Sequence, residues 1–138
     1  MVHFVKIKGG APRGQGATEF ALIAIGLLTL IFGVMQGAYT IAAYNFVTYS
    51  ARDAARYAMV RGATSPQPAT TTDVKNFVLG EAQGVNSQGV VVTTSWVPNN
   101  NPGNAVKVTV SYTFAPLARI ASSLTLTFSS TSQMVISQ

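Results

Sequence analysis

Glu19-Phe20-Ala21-Leu22-Ile23-Ala24-Ile25-Gly26-Leu27-Leu28-Thr29-Leu30-Ile31-Phe32-Gly33-Val34-Met35 decides the architecture: one carboxylate stands at the entrance to a densely apolar run. From Phe20 to Ala51 no residue is charged, 32 positions in all, where a bilayer needs only about 20. The stretch predicts a transmembrane part over about residues 20–42 and a helix that continues beyond it. Tyr39, Tyr44, Phe46 and Tyr49 are then an interfacial aromatic band. An unpaired carboxylate in hydrocarbon is so unfavourable that Glu19 reads as a functional position needing a partner. The alternative is an ordinary signal anchor in which Glu19 marks the interfacial end of the span and suits the helix dipole.

Composition sets the outer bounds. The chain has 138 residues, one domain's worth with room for a modest core outside the span. Only 9% of the residues are charged and 48% are apolar, far from the soluble average of roughly a quarter charged. A membrane or assembly protein fits those numbers. The net charge of +5 comes from bases spread between Lys6 and Arg119, without the clustered basic face of a nucleic-acid binder. Cysteine is absent, which excludes disulfides, thiolate metal sites and thiol catalysis.

Working toward the N-terminus, Lys6, Lys8 and Arg13 precede the span with no acid among them, which argues for a cytoplasmic N-terminus; Arg52, Arg56 and Arg61, offset only by Asp53, weaken that bias. Gly14 lies five residues before Glu19. A cut after Gly14 would make Gln15 the new N-terminus and put its α-ammonium about one helical turn from the Glu19 carboxylate. That is the layout of a prepilin-type signal. The glycine-to-glutamate spacing alone is a weak pattern. The basic leader before it, the small residues within it and the apolar run starting at Phe20 are the order that a peptidase at the membrane face needs. A secretory signal cleaved after Thr40-Ile41-Ala42 competes, but typical h-regions end within about 15 residues.

Working outward the other way, Val47, Ala51, Ala54, Ala55, Ala58 and Met59 recur at helical spacing on one side, with Arg52, Asp53 and Arg56 on another. Such a small, flat alanine face reads first as a core-facing stripe, and second as a surface for subunit packing. Arg61, Gly62, Pro66 and Pro68 supply a basic last turn, a left-handed cap and a stop, so the helix is expected over 15–61. Gly33 and Gly37 form a Gly-x-x-x-Gly pair with Gly26 one heptad earlier, a sign of a membrane helix packed in a bundle.

Residues 62–138 read as a small α+β head. Thr70-Thr71-Thr72-Asp73 offers caps for a short helix with Val74, Phe77 and Val78 inward, ended by Gly84. Three strands follow. Val90–Val97 is the first, its Thr-Thr-Ser centre weakening the alternation. Val106, Val108, Val110, Tyr112 and Phe114 alternate cleanly with polar residues, as in a half-buried strand whose covering layer should be the alanine stripe. Leu124, Leu126 and Phe128 continue the scheme, and Met134 and Ile136 resume the same parity after a polar stretch, which predicts an antiparallel meander. Residues 98–104, Pro-Asn-Asn-Asn-Pro-Gly-Asn, carry amides but no carboxylate, a hairpin loop and not a calcium loop.

Arg13-Gly14 through Glu19-Phe20-Ala21-Leu22, the uninterrupted span, then Tyr44-Asn45 and Ser50-Ala51-Arg52-Asp53-Ala54-Ala55-Arg56-Tyr57-Ala58 resemble the TadE-like pseudopilins of tight-adherence pilus systems. The resemblance covers residues 13–62 well and Gly103 to Ile136 in outline. It implies a protein cleaved by a prepilin peptidase after Gly14, held in the inner membrane with its head outside, and acting as a minor pilin or assembly factor of an adhesive fimbria. Its partners would be other pilin or pseudopilin subunits, the inner-membrane assembly platform and membrane lipid.

Catalysis finds little material. His3 is the only histidine, and Asp53, Asp73 and Glu81 stand singly, each explained by a helix position. Phosphate loops and metal-ligand spacings are missing from the sequence, so no cofactor, metal, nucleic acid or small-molecule substrate is expected. Besides the pseudopilin, two readings remain: an uncleaved single-pass anchor holding a binding or scaffold module, and a secreted binding domain.

Overall fold

A computed structural model describes residues 14–114 and 125–138. The basic leader, Pro116-Leu117 and Leu124 lie outside the described residues. The class is α+β: α1 (Gln15–Met59), α2 (Thr71–Gly80), a 3-10 turn (Ser87–Gly89), and strands β1 (Val90–Val97), β2 (Ala105–Phe114) and β3 (Leu126–Val135). Two compact units divide after Met35.

In the first unit the apolar side chains of the helix are largely exposed among the described residues: Phe20, Leu22, Ile23, Leu30 and Phe32 are each at least 64% exposed. The helix is long and apolar enough to cross a membrane. Thr29 fits such a setting because its hydroxyl donates to the Ile25 carbonyl at 2.8 Å, leaving no unsatisfied donor.

The second unit, Gln36–Gln138, holds the C-terminal part of α1 together with the residues of the expected head. Its sheet is an antiparallel meander in the order β1-β2-β3, with Val90 opposite Tyr112 and Val97 opposite Ala105, then Ala105 opposite Val135 and Phe114 opposite Leu126. The 98–104 segment is the β1–β2 connection expected from its amides, with Gly103 in the left-handed region at φ 85°. One core joins the alanine stripe of α1 to the inner sheet face: Ala51, Ala54, Ala55, Ala58, Val74, Val78, Val106, Val108 and Val110 are fully buried. Ala43 and Ser50 belong to the same buried face, whereas Met59 is half-buried. Alanine contributes little apolar area; the gain comes from the valines, each worth ~1.5–3 kcal/mol when fully buried.

Two helix ends differ from the sequence expectations. Helix α1 ends at Met59, short of Arg61. Gly62 is no left-handed cap, since among the described residues only Gly84 and Gly103 have positive φ. The C-terminal segment returns here instead: Ser137 N–H donates to the Met59 carbonyl at 3.0 Å, and a Cβ on Gly62 would overlap the Gln138 main-chain oxygen and the Ile136 side chain. Helix α2 likewise stops at Gly80, capped by Glu81, and Gly84 serves a later turn at φ 81°. The polar centre of the last strand, Ser129 to Gln133, is uninterrupted strand in β3. Its hydroxyls form a ladder with β2 on the outer face: Thr109–Thr131 at 2.9 Å, Ser111–Ser129 at 3.0 Å and Thr113–Thr127 at 3.3 Å. Cross-strand pairs of this kind replace the apolar alternation that the sequence lacks.

Candidate functional site

Helix α1 begins at Gln15, immediately after Gly14, so the Gly14–Gln15 bond lies at a helix N-terminus. Three contacts shape this first turn. Thr18 N–H donates to the Gly14 carbonyl at 3.3 Å, the Thr18 hydroxyl donates to the Gln15 carbonyl at 2.8 Å, and the Gln15 side-chain amide donates to the Glu19 carboxylate at 3.4 Å. All of Gly14 to Phe20 is exposed. Glu19 thus shares a helix face with Gln15, as their spacing predicts. The only polar group that the described residues offer it is that amide, a neutral donor.

Gly26, Gly33 and Gly37 have no atom within 4 Å of a built Cβ, so the described residues leave all three positions open. Ala51, Ala54, Ala55 and Ala58 do the opposite and are consumed by the head core. The aromatic band divides similarly. The Tyr39 hydroxyl lies 3.1 Å from the Tyr112 hydroxyl, the Tyr39 ring is 5.0 Å from Phe114, and Tyr44 meets Phe128 edge-on at 6.3 Å. Tyr49 remains 62% exposed. Sheet contacts along α1 thus reach back to Tyr39, inside the 20–42 segment expected to span the membrane.

Elsewhere, a shallow depression of about 270 Å³ is lined by Val60, Arg61, Ser65, Pro66 and Gln67. Its Arg61 guanidinium already sits 3.9 Å from the Tyr57 ring centroid and donates to the Tyr57 carbonyl at 3.4 Å. Burial raises the Glu81 carboxyl above its ordinary range, and the nearby Asp53 charge adds to the effect. Among the described residues no group of three His, Cys, Asp or Glu side chains could hold a metal ion. Sequence reasoning missed the effect of the Asp53 charge on Glu81, which acts between residues far apart in the chain and has no local signature.

An apolar helix long enough to cross a membrane, with a polar turn at its start, and a small α+β head fit a membrane-anchored type of protein. The sequence model of the family described as TadE-like protein matches residues 14–56, a span that runs from Gly14 through Glu19 to the alanine stripe. Over that span the chain is similar to TadE-like, pilus-related proteins. No curated protein and no solved structure matches it.

Proposed function

We propose that this protein is a structural minor pseudopilin or assembly factor of a tight-adherence pilus, processed after Gly14 and anchored in the cytoplasmic membrane by α1 with its head outside. Glu19 neutralises the α-ammonium of Gln15 on its own or a neighbouring subunit. The observation that carries this reading is the first turn of α1, which starts at Gln15 with Glu19 on the same face and within reach of it. The TadE-like match over that turn supports it. The role is one of assembly, not catalysis, and the partners are a prepilin peptidase, other pilin-like subunits, the assembly platform and lipid.

Core position weighs against a secreted domain cut near Ala43. Such a cut would discard Tyr39, which contacts Tyr112 and Phe114, and leave the fully buried Ala43 at a free end.

The N-terminal residue of protein from cells of its own organism tests the reading. Gln15 is expected; Met1 alone, in cells with a working prepilin peptidase, would overturn it. Breaking one side of a buried ion pair is destabilising by ~3–5 kcal/mol. Glu19→Ala should therefore insert in the membrane yet fail to enter the assembly. Normal pili carrying the variant at wild-type stoichiometry would remove the proposed role of Glu19.

A further inference from the structure

Between Gly14 and Ala51 the only charged side chain is Glu19. The group set against it is the Gln15 carboxamide, whose Nε2 donates to the Glu19 Oε1 at 3.4 Å. The Thr18 hydroxyl in the same turn is committed elsewhere, donating to the Gln15 carbonyl at 2.8 Å. Gln15 and Glu19 are both exposed, so the described residues put no other charge and no cover on the pair.

A glutamine inside a chain keeps its carboxamide, but a glutamine that begins a chain has a nucleophile of its own. The free α-amine attacks the carbonyl carbon of the side-chain amide and closes a lactam. The bond from that carbon to Nε2 breaks, ammonia leaves with the bonding pair and takes up the proton that the amine gives up, and a neutral ring replaces the cation. No oxidant, reductant or second substrate is consumed. The attack requires an unprotonated amine, and an unperturbed α-amine loses its proton at about pH 7.7–8.0. A carboxylate beside the amine favours the protonated form, which has no lone pair to offer. Glu19 is that carboxylate. Its bond to the carboxamide also draws the side chain toward the next turn, ~5.4 Å along the axis, whereas ring closure needs the amide carbon at the residue's own nitrogen. Both effects oppose the reaction.

We propose that Gln15 of the cleaved chain is a lactam-forming N-terminus that Glu19 holds open, so that ring closure retires chains whose Gln15–Glu19 pair has come apart. The inference rests on the cleavage after Gly14 proposed above and adds a modification to that same site. Closure is self-enforcing, because the lactam carries no positive charge and leaves Glu19 without the partner that assembly uses. Glu19 is a positioning residue here; it forms and breaks no bond.

The full chain, with a site-specific protease sequence placed before Gln15 and cut in detergent, acquires a Gln15 start without any prepilin peptidase. Intact mass then follows the loss of one ammonia per chain. The wild type should close slowly at neutral pH, and Glu19→Gln should close roughly two- to fivefold faster, the change in protonation that one exposed ion pair sustains. In both the rate should climb with pH, with the Glu19→Gln profile displaced to lower pH by about half a unit. Glu19→Asp keeps the charge and should stay nearer the wild type. Superimposable profiles for the wild type and Glu19→Gln, or no loss of ammonia from any of the three chains, would overturn the proposal. The N-terminus found in cells reports separately. A Met1 start there with displaced profiles defeats the cleavage alone, and a Gln15 start with superimposed profiles defeats this inference alone.

Discussion

At Gly62 the C-terminal segment comes so close that any side chain would collide with the Gln138 main-chain oxygen and Ile136. Gly62→Ala should therefore lower stability by about 1–3 kcal/mol, the usual penalty of overpacking. Gly80→Ala is the control. It lies in α2 with nothing within 4 Å of its Cβ, so the loss of backbone freedom in the unfolded chain should make it neutral or stabilising by ~0.5–1 kcal/mol. Denaturant titration of both variants in detergent reads the difference, and equal effects would defeat the argument. The sequence signalled a glycine after a basic residue, which reads as a helix cap. The real demand comes from residues far along the chain, and a contact of that kind leaves no local pattern.

Helix α2 is the element whose ends respond to pH. At its start Thr70 and Asp73 form a capping box: the Thr70 hydroxyl and N–H both donate to Asp73, at 2.7 and 2.9 Å, and Asp73 N–H donates to the Thr70 hydroxyl at 3.2 Å. The Thr70 hydroxyl and then its N–H hold the Asp73 carboxyl below its ordinary range. That stabilisation is present above the unfolded pKa and disappears as pH falls through the lower, folded one. Glu81, at the other end, has the opposite sign. Burial and then Asp53 raise its carboxyl, so the folded state takes up the proton first and this site's destabilisation is relieved as pH falls through the raised value toward the unfolded one. Glu81→Gln should raise the Tm at neutral pH, whereas Thr70→Ala should lower stability by about 1 kcal/mol. A neutral-pH Tm lowered by Glu81→Gln would show that its charge contributes favourably. The capping box was legible in Thr70-Thr71-Thr72-Asp73. The end at Gly80 was not, because residues 80–84 contain two glycines and spacing alone does not choose between them.

For the molecule as a whole, the small residues of α1 fall in two different environments. The alanines from Ala51 to Ala58 lie against the sheet, while Gly26, Gly33 and Gly37 face open space. Gly33→Leu should accordingly leave the thermal unfolding of the head unchanged and reduce co-purification with other pilus subunits; a lowered head Tm would show that the glycine matters within the chain. The alanine stripe and the meander were readable because 3.6-residue and two-residue periodicities describe one face each. The proposed cleavage and assembly role rests on a short polar turn and its match to TadE-like protein, since neither a peptidase nor a second subunit leaves a periodic trace in one chain. The bond from Ser137 to Met59 also reaches into biogenesis, as it joins residues 78 apart. At ~5–20 residues per second, synthesis of the intervening chain takes on the order of ten seconds. During that interval the alanine stripe is already made and still lacks its last strand, so chaperone capture of nascent chains should concentrate there and end with β3.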